Sequence, residues 1–520
     1  MLDDLPSPDT ATAGTNAPGQ VARPYAALFV VCLGLVIVSL DNSVLNIALP
    51  ALSRDLGATT SDLQWIIDAY VLAYAGLMLT AGSLGDRFGR RRSMFWGTLL
   101  FGVSSGVAAF SDSSTMLIWC RGAMGVCGAF LTPASLSIIT NLFHDPRERG
   151  RAIGIWAAVS TVGVAIGPVI GGVLLEHFWW GSVFFINVPF ALCLVALLPM
   201  LVPESKDPNP GALDPLGAVL SIAAMSAVLW ATISGPDHGW TSSPVLGAYA
   251  VAVIAGIGFV WWELHTPTPM IDMHFFTIPG FSAAGGANMG MVAAWAGTNF
   301  LFVQLLQSIL GYSPYEAGIR LIPFAAIGAV GGLCSAPLAG RIGRKRLVIC
   351  GLLLQMAGAI LFLFYDASQG YWIAMAYLLI FNGGQSVVFS QCIASVMESV
   401  PREKSGVASG ANSTLRQSAM AFGIAISGSI FSTTYRSELR DRATEAGFDG
   451  ATIETAGRSV ASAARLATDL GGDAGDRLFA ITSDSFTSAM HIAMIMAIGF
   501  CAIGLAVAAI WLPGRERRAD

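Results

Sequence analysis

Gly82-Ser83-Leu84-Gly85-Asp86-Arg87-Phe88-Gly89-Arg90-Arg91 closes the second long apolar run of the chain, and Gly340-Arg341-Ile342-Gly343-Arg344-Lys345 closes the tenth. The Gly-Arg-Arg/Lys core thus returns 254 residues later. A second signature, Pro146-Arg147-Glu148-Arg149, precedes the fifth run and returns as Pro401-Arg402-Glu403-Lys404 before the thirteenth, 255 residues on. Two matches at nearly one offset, each at the same place relative to the apolar runs, imply two copies of one six-helix unit. Duplicated halves around a midplane cavity are transporter architecture, because rocking one half against the other opens a site to each side in turn.

Composition points the same way. Of 520 residues, 54% are hydrophobic and 12% are charged, against about 25% charged in a soluble protein. Mean hydropathy is +0.65. A soluble chain of this length needs several charged surfaces, and the charge to clothe them is missing. The net charge of −5 gives no basic stripe for nucleic acid. All eight cysteines fall in apolar stretches, which fits small hydrophobes and excludes a disulfide framework. Residues 1–22 carry no basic n-region and read as a disordered tail, not a cleavable signal.

A bilayer-spanning helix needs about 20 apolar residues, and fourteen runs qualify: 25–49, 62–82, 93–110, 115–141, 150–175, 182–202, 213–233, 245–263, 281–304, 315–339, 346–364, 371–397, 405–431 and 486–512. An all-α polytopic membrane protein follows, arranged as six, an inserted pair, and six. The expected organisation is a tail over 1–24, a first half over 25–203, the inserted helices with linkers over 204–280, a second half over 281–512 that includes a long loop at 432–485, and a tail over 513–520. With both termini inside, 18 of the 28 Lys and Arg lie on the cytoplasmic side, and the short outer loops hold only Arg54. The positive-inside rule therefore places both termini in the cytoplasm.

The residues resemble those of the major facilitator superfamily, and more narrowly its bacterial fourteen-helix drug:proton antiporters, from about residue 25 to 512. Leu40-Asp41-Asn42-Ser43-Val44-Leu45-Asn46-Ile47-Ala48-Leu49-Pro50 resembles that family's first-helix motif, and the stretch from Gly82 to Arg91 its cytoplasmic motif between helices two and three. Gly163 through Gly172, with Gly167-Pro168, is similar to the fifth-helix motif of antiporters. Asn187-Val188-Pro189 and Gly311-Tyr312-Ser313-Pro314 also match family habits. The second cytoplasmic copy departs, with Gly340 where the first has Asp86. The resemblance implies a multi-pass protein of the bacterial cytoplasmic (inner) membrane that exports drugs, with antibiotic resistance as a consequence. The expected mode is alternating access, with protons as the coupling ion and no cofactor. Its expected partners are amphipathic, cationic small molecules and membrane lipids, and a monomer is the expected state.

Charges inside spans are expensive and usually functional; Asp41, Asp68, Arg121, Glu316, Arg320 and Arg416 qualify. Asp41, Asp68 and Arg121 sit at similar depth in the outer part of the first half. They form a candidate proton-coupling site in which two carboxylates exchange protons and Arg121 stabilises the deprotonated form. A static ion pair that neutralises Arg121 stands as the alternative. Glu316 and Arg320, four apart, read as a self-satisfied helical pair.

Gating candidates are Gly82, Asp86, Arg87, Gly89 and Arg90, with Asp86 placed to cap the helix that starts near Ser405. A local salt bridge in a positive-inside cluster is the other reading. Gly163, Gly167 and Gly171 recur every four residues and form a smooth stripe, and Pro168 removes one helical hydrogen bond, so a bend is expected. The stripe is either tight packing or a flexing contact between halves. Substrate-cavity candidates are Asn42, Asn46, Trp65, Tyr70, Asn412 and Arg416, with Arg416 equally readable as an interhelix hydrogen-bonding anchor. The aromatics either stack on flat cations or serve packing.

No phosphate-cradling G-x4-G-K-[ST] sequence occurs, no metal-spaced His/Cys cluster is present, and no nucleophile–base set is recognisable, so an enzyme is not expected. The leading expectation is a drug:proton antiporter. An exporter of a lipid or endogenous metabolite on the same fold is the alternative, and a transport-dead membrane receptor is a reading from another class.

Overall fold

The computed structural model describes residues 24–207, 213–400 and 405–513, and among these every regular element is helical. The expected tails, and the second Pro-Arg-Glu-Lys signature at 401–404, lie outside the described residues. The first half runs α1 (Pro24–Leu56), α2 (Thr60–Phe88), α3 (Arg90–Ala109), α4 (Ser114–Leu142), α5 (Pro146–His177) and α6 (Ser182–Leu201). The inserted pair is α7 (Pro215–His238) and α8 (Ser243–His265). The second half continues with α9 (Pro279–Ile309), α10 (Pro314–Ile342), α11 (Arg344–Phe362), α12 (Tyr371–Glu398) and α13 (Ser405–Glu445). It ends with α14 (Gly450–Arg458), α15 (Val460–Leu470) and α16 (Gly472–Trp511).

All fourteen expected runs fall on helices. Twelve are long and apolar enough to cross a membrane; the helices at the third and thirteenth places, α3 and α13, are more polar. α3 opens on Arg90-Arg91-Arg92. α13 is rich in Ser and Gly and carries Arg416, and it packs on α2, α7, α9 and α16. A helix faced by protein on several sides need not be apolar all round.

Helix starts follow from local chemistry. Thr59 caps α2 and Ser313 caps α10, each in a capping box with the acid three residues on, Asp62 and Glu316. Asp145 before Pro146 and Asp214 before Pro215 cap α5 and α7, with Pro in the first turn where its missing N–H does no harm. The duplicated Gly-Arg signature has the same job in both halves. Gly89 at φ +119° and Gly343 at φ +87° are single-residue links that turn α2 into α3 and α10 into α11. Those backbone angles are ones that residues with a Cβ rarely adopt.

The expected loop at 432–485 is almost entirely helical. α13 runs on to Glu445 and α16 begins at Gly472, because hydropathy marks where a helix leaves the bilayer and not where it ends. At 41 residues α13 is about 60 Å long, twice the hydrocarbon thickness. Its protruding end, α14, α15 and the start of α16 build a helical cap. Asp449 caps α14, and hydrogen bonds from the Thr452 N–H and hydroxyl hold its carboxyl below the usual range. The cap rests on the end of α1, where Ser53 and Ser459 hydroxyls are 2.6 Å apart and Arg465 donates to the Arg54 carbonyl.

Candidate functional site: a buried charge cluster and the contacts between halves

Arg121 of α4 is completely buried, and its Nη1 lies 2.6 Å from Asp41 Oδ2 of α1. Its Nε donates to the Ile66 carbonyl of α2 at 2.9 Å. The other Asp41 oxygen accepts from Asn187 Nδ2 of α6 at 2.9 Å, and Asn187 also donates to Ser105 of α3, whose hydroxyl reaches the Phe184 carbonyl. One carboxylate therefore ties α1, α3, α4 and α6 together. Charged pairs this deep hold only when their remaining polar atoms are satisfied, and the Asn187–Ser105 relay satisfies the Asp41 side.

Asp68 does not join this cluster. It is 0% exposed, and both carboxyl oxygens lack a hydrogen-bond partner. The structure thus separates the three residues that sequence groups together: Asp41 and Arg121 are paired, and Asp68 stands alone. Of the two readings of Tyr70, the structure favours packing. The residue is fully buried, and the cation over its ring, at 4.3 Å, is the guanidinium of Arg121. In this conformation it is a packing residue under Arg121 and not a cavity wall. Trp65 is partly buried against the core. The amides of Asn42 and Asn46 bond back to the Val38 and Asn42 carbonyls of their own helix. Asn412 is buried with an unpartnered amide oxygen, and Arg416 is half-buried.

The glycine stripe faces its own half. A Cβ on Gly163 would meet Ser39, one on Gly167 would meet Ser43, and one on Gly171 would meet Val44, all on α1. This corrects the reading of those three glycines as the contact between halves. The close approach between halves lies on the next face. A Cβ on Gly172 would strike the backbone of Pro314 and Tyr315, and one on Gly318 would strike the Pro168 carbonyl. Pro168 leaves the Val164 carbonyl without its helical donor, and Ser43 Oγ supplies one at 2.7 Å. α5 stays one continuous helix through it.

In the 82–92 segment, Asp86 Oδ1 accepts from Arg90 Nε at 2.7 Å. The segment also clasps the chain after α6: Arg90 N donates to the Ser205 carbonyl, Arg91 N to Glu204, and Asp207 N to the Asp86 carbonyl. Gly82 packs on Pro133, and the Arg87 guanidinium stands over Phe88. The stretch just before Ser405, where the expected Asp86 cap would form, lies outside the described residues.

The hydrogen bonds that link the two halves, among the described residues, gather at the end carrying the cap. Gln64 Nε2 of α2 donates to the Ile424 and Ala425 carbonyls of α13, and Gln307 Nε2 of α9 to the Ile47 carbonyl of α1. Ser313 donates to Glu176. Sequence reasoning passed over Gln64, Gln307 and Ser43. Polar side chains within apolar runs are the signal that could have found them.

Twelve described helices long and apolar enough to cross a membrane, a buried charge cluster among the first of them and polar ties at a single end mark a multi-pass membrane transporter. The chain belongs to the Major Facilitator Superfamily, whose family model matches residues 31–424, and it is a transporter, not an enzyme. It is 35% identical to the multidrug efflux pump LfrA of Mycolicibacterium smegmatis, over 96% of this chain and 99% of that one. It is 32% identical to the tetracenomycin C resistance and export protein of Streptomyces glaucescens, over 98% and 95%. The methyl viologen resistance protein SmvA of Salmonella typhimurium is 31% identical, over 92% and 97%. Among solved structures, a bacterial homolog of the human lysosomal transporter Spinster, inward-facing and unoccupied, shares the fold with a TM-score of 0.70 at 16% identity, covering 96% of this chain and 100% of that one.

Proposed function

We propose that this protein exports amphipathic small molecules across the bacterial cytoplasmic membrane in exchange for protons, as a monomer, with both termini cytoplasmic. The relatives named for multidrug efflux and for resistance to tetracenomycin C and methyl viologen support drug-like cargo. The arginine clusters at the end opposite the cap support the orientation. With that orientation, the ties at the cap end make this the outward-closed state.

The observation that carries proton coupling is the contrast between two buried acids. The Asp41 oxygens are committed to Arg121 and Asn187, whereas both Asp68 oxygens are unengaged. Asp68 is therefore the carboxyl free to take up and release a proton, and Asp41 with Arg121 holds the surrounding helices in register. This division sharpens the symmetrical roles that sequence suggested.

The test is cargo-induced proton release from purified protein, compared in Asp68→Asn and Asp41→Asn. Asp68→Asn should abolish release while the protein still binds dye. Release that survives in Asp68→Asn removes Asp68 from the coupling scheme.

A further inference from the structure

Three arginines, Arg121, Arg320 and Arg416, lie away from the ends of the membrane spans, and two of them have acids. Arg121 is paired with Asp41, and Arg320 lies 3.9 Å from Glu316 and stacks on Tyr312. Arg416 of α13 has neither a hydrogen bond nor an ion pair among the described residues. Its guanidinium stands 6.0 Å from the Phe389 ring of α12, and across the interface between halves its charge is felt by Tyr74 of α2. The Tyr74 hydroxyl is already given to Thr132. One helical turn away on the same face, Asn412 keeps an unpartnered amide oxygen. Arg416 is partly buried, with the Phe389 ring of its own half on one side and Tyr74 of the other half close enough to feel its charge.

An uncompensated cation inside a membrane protein is costly, and pairing it later recovers that cost. Guanidinium is shaped for bidentate contact with a carboxylate. Among the described residues no carboxylate is paired with Arg416, and Asp68 is paired with no arginine. Among the described residues Arg416 is left open to a partner from outside the chain. Coupling proton and cargo thus have separate addresses, an unpaired acid in the first half and an unpaired base in the second.

We propose that Arg416 is the recognition group for an acidic end of the cargo: the site takes aromatic amphiphiles that bear a carboxylate, zwitterions included, with the carboxylate on Arg416 and the aromatic body toward Phe389. This rests on the export reading and names the cargo chemistry for it. A dye that also carries a positive charge is compatible, because the carboxylate is what Arg416 reads.

Rhodamine 110 and rhodamine 123 share one ring system and differ in that the first has a free carboxylate and the second its methyl ester. Binding of each to the purified full-length protein is read by fluorescence anisotropy, and export by dye movement in proteoliposomes. Wild type should bind rhodamine 110 about tenfold more tightly than rhodamine 123, the scale of one charge-assisted hydrogen-bonded contact. Arg416→Gln should bring that ratio close to one, and Arg416→Lys, which keeps the charge and loses the fork, should leave an intermediate ratio. Should Arg416→Gln fail to fold, the comparison of wild type with Arg416→Lys carries the test. A wild-type ratio of one or below, or a ratio unchanged in the variants, overturns the proposal while leaving drug export standing. Failure of the protein to bind or move either dye overturns the export reading and this one with it.

Discussion

Ser43 Oγ donates to the Val164 carbonyl at 2.7 Å, across the packed face of α1 and α5. Val164 stands four residues before Pro168, so this carbonyl is the one that proline deprives of its helical donor. Ser43→Ala should leave it unpaired in the apolar interior and destabilise the purified protein by about 1 kcal/mol, the scale of a buried hydrogen bond in membrane proteins. Pro168→Ala restores the N–H within α5, so in that background Ser43→Ala should cost much less. Equal losses of thermal stability in both backgrounds would show that Ser43 does not serve the proline carbonyl.

Gly172 and Gly163 separate contact between halves from packing within one. A side chain at Gly172 meets the Pro314 and Tyr315 backbone of the other half, while one at Gly163 meets Ser39 of its own. Gly172→Val should shift the protein toward states open at the cap end, seen as longer spin-label distances between the tips of α5 and α10. Gly163→Val should lower thermal stability and leave that distance distribution in place. The same shift from both variants would refute the assignment.

How much of this was legible without coordinates differs from residue to residue. The apolar runs fell on all twelve described helices that are long and apolar enough to cross a membrane, because bilayer thickness imposes length and apolarity on the sequence itself. Asp41 and Arg121 stood out because charge is rare in spans. What sequence lacked was direction. A glycine every fourth residue announces a close neighbour but does not name it, so the stripe at Gly163, Gly167 and Gly171 was open to either half. Tyr70 was open to cargo stacking or packing because nothing in its spacing shows that Arg121 already lies over its ring. The cap was hidden because helices outside the bilayer obey no apolar length rule.

The Asp41–Arg121 contact has a built-in coupling experiment. Arg121→Ala strands the Asp41 carboxylate in the interior and should cost about 3–5 kcal/mol, as for a buried pair broken on one side. Asp41→Asn combined with Arg121→Ala should be less damaging than the sum of the single changes, with a coupling energy of about 1–3 kcal/mol. Asn187→Ala should act on the same unit and be non-additive with Asp41→Asn, since Asn187 donates to Asp41 Oδ1. Strict additivity in thermal or denaturant unfolding of the purified variants would mean that the cluster is not one network.

Gly89 and Gly343 hold equivalent places in the two halves and have unequal surroundings. Both have positive φ, so alanine at either site brings backbone strain of about 1–3 kcal/mol. At Gly343 a Cβ would meet nothing within 4 Å, whereas at Gly89 it would press against the Glu204 carboxylate, with Oε1 at 2.7 Å. Glu204 is also the group that accepts from Arg91 N and lies 3.7 Å from the Arg91 and Arg92 side chains. Gly89→Ala must therefore displace the clasp that fastens the segment after α6 to the start of α3, and Gly343→Ala disturbs only its own turn. The larger loss of thermal stability is expected for Gly89→Ala, together with faster proteolysis in the segment that follows Val202. Equal effects at the two glycines would mean that strain alone governs both, and that the Glu204 clasp contributes nothing to holding the first half together.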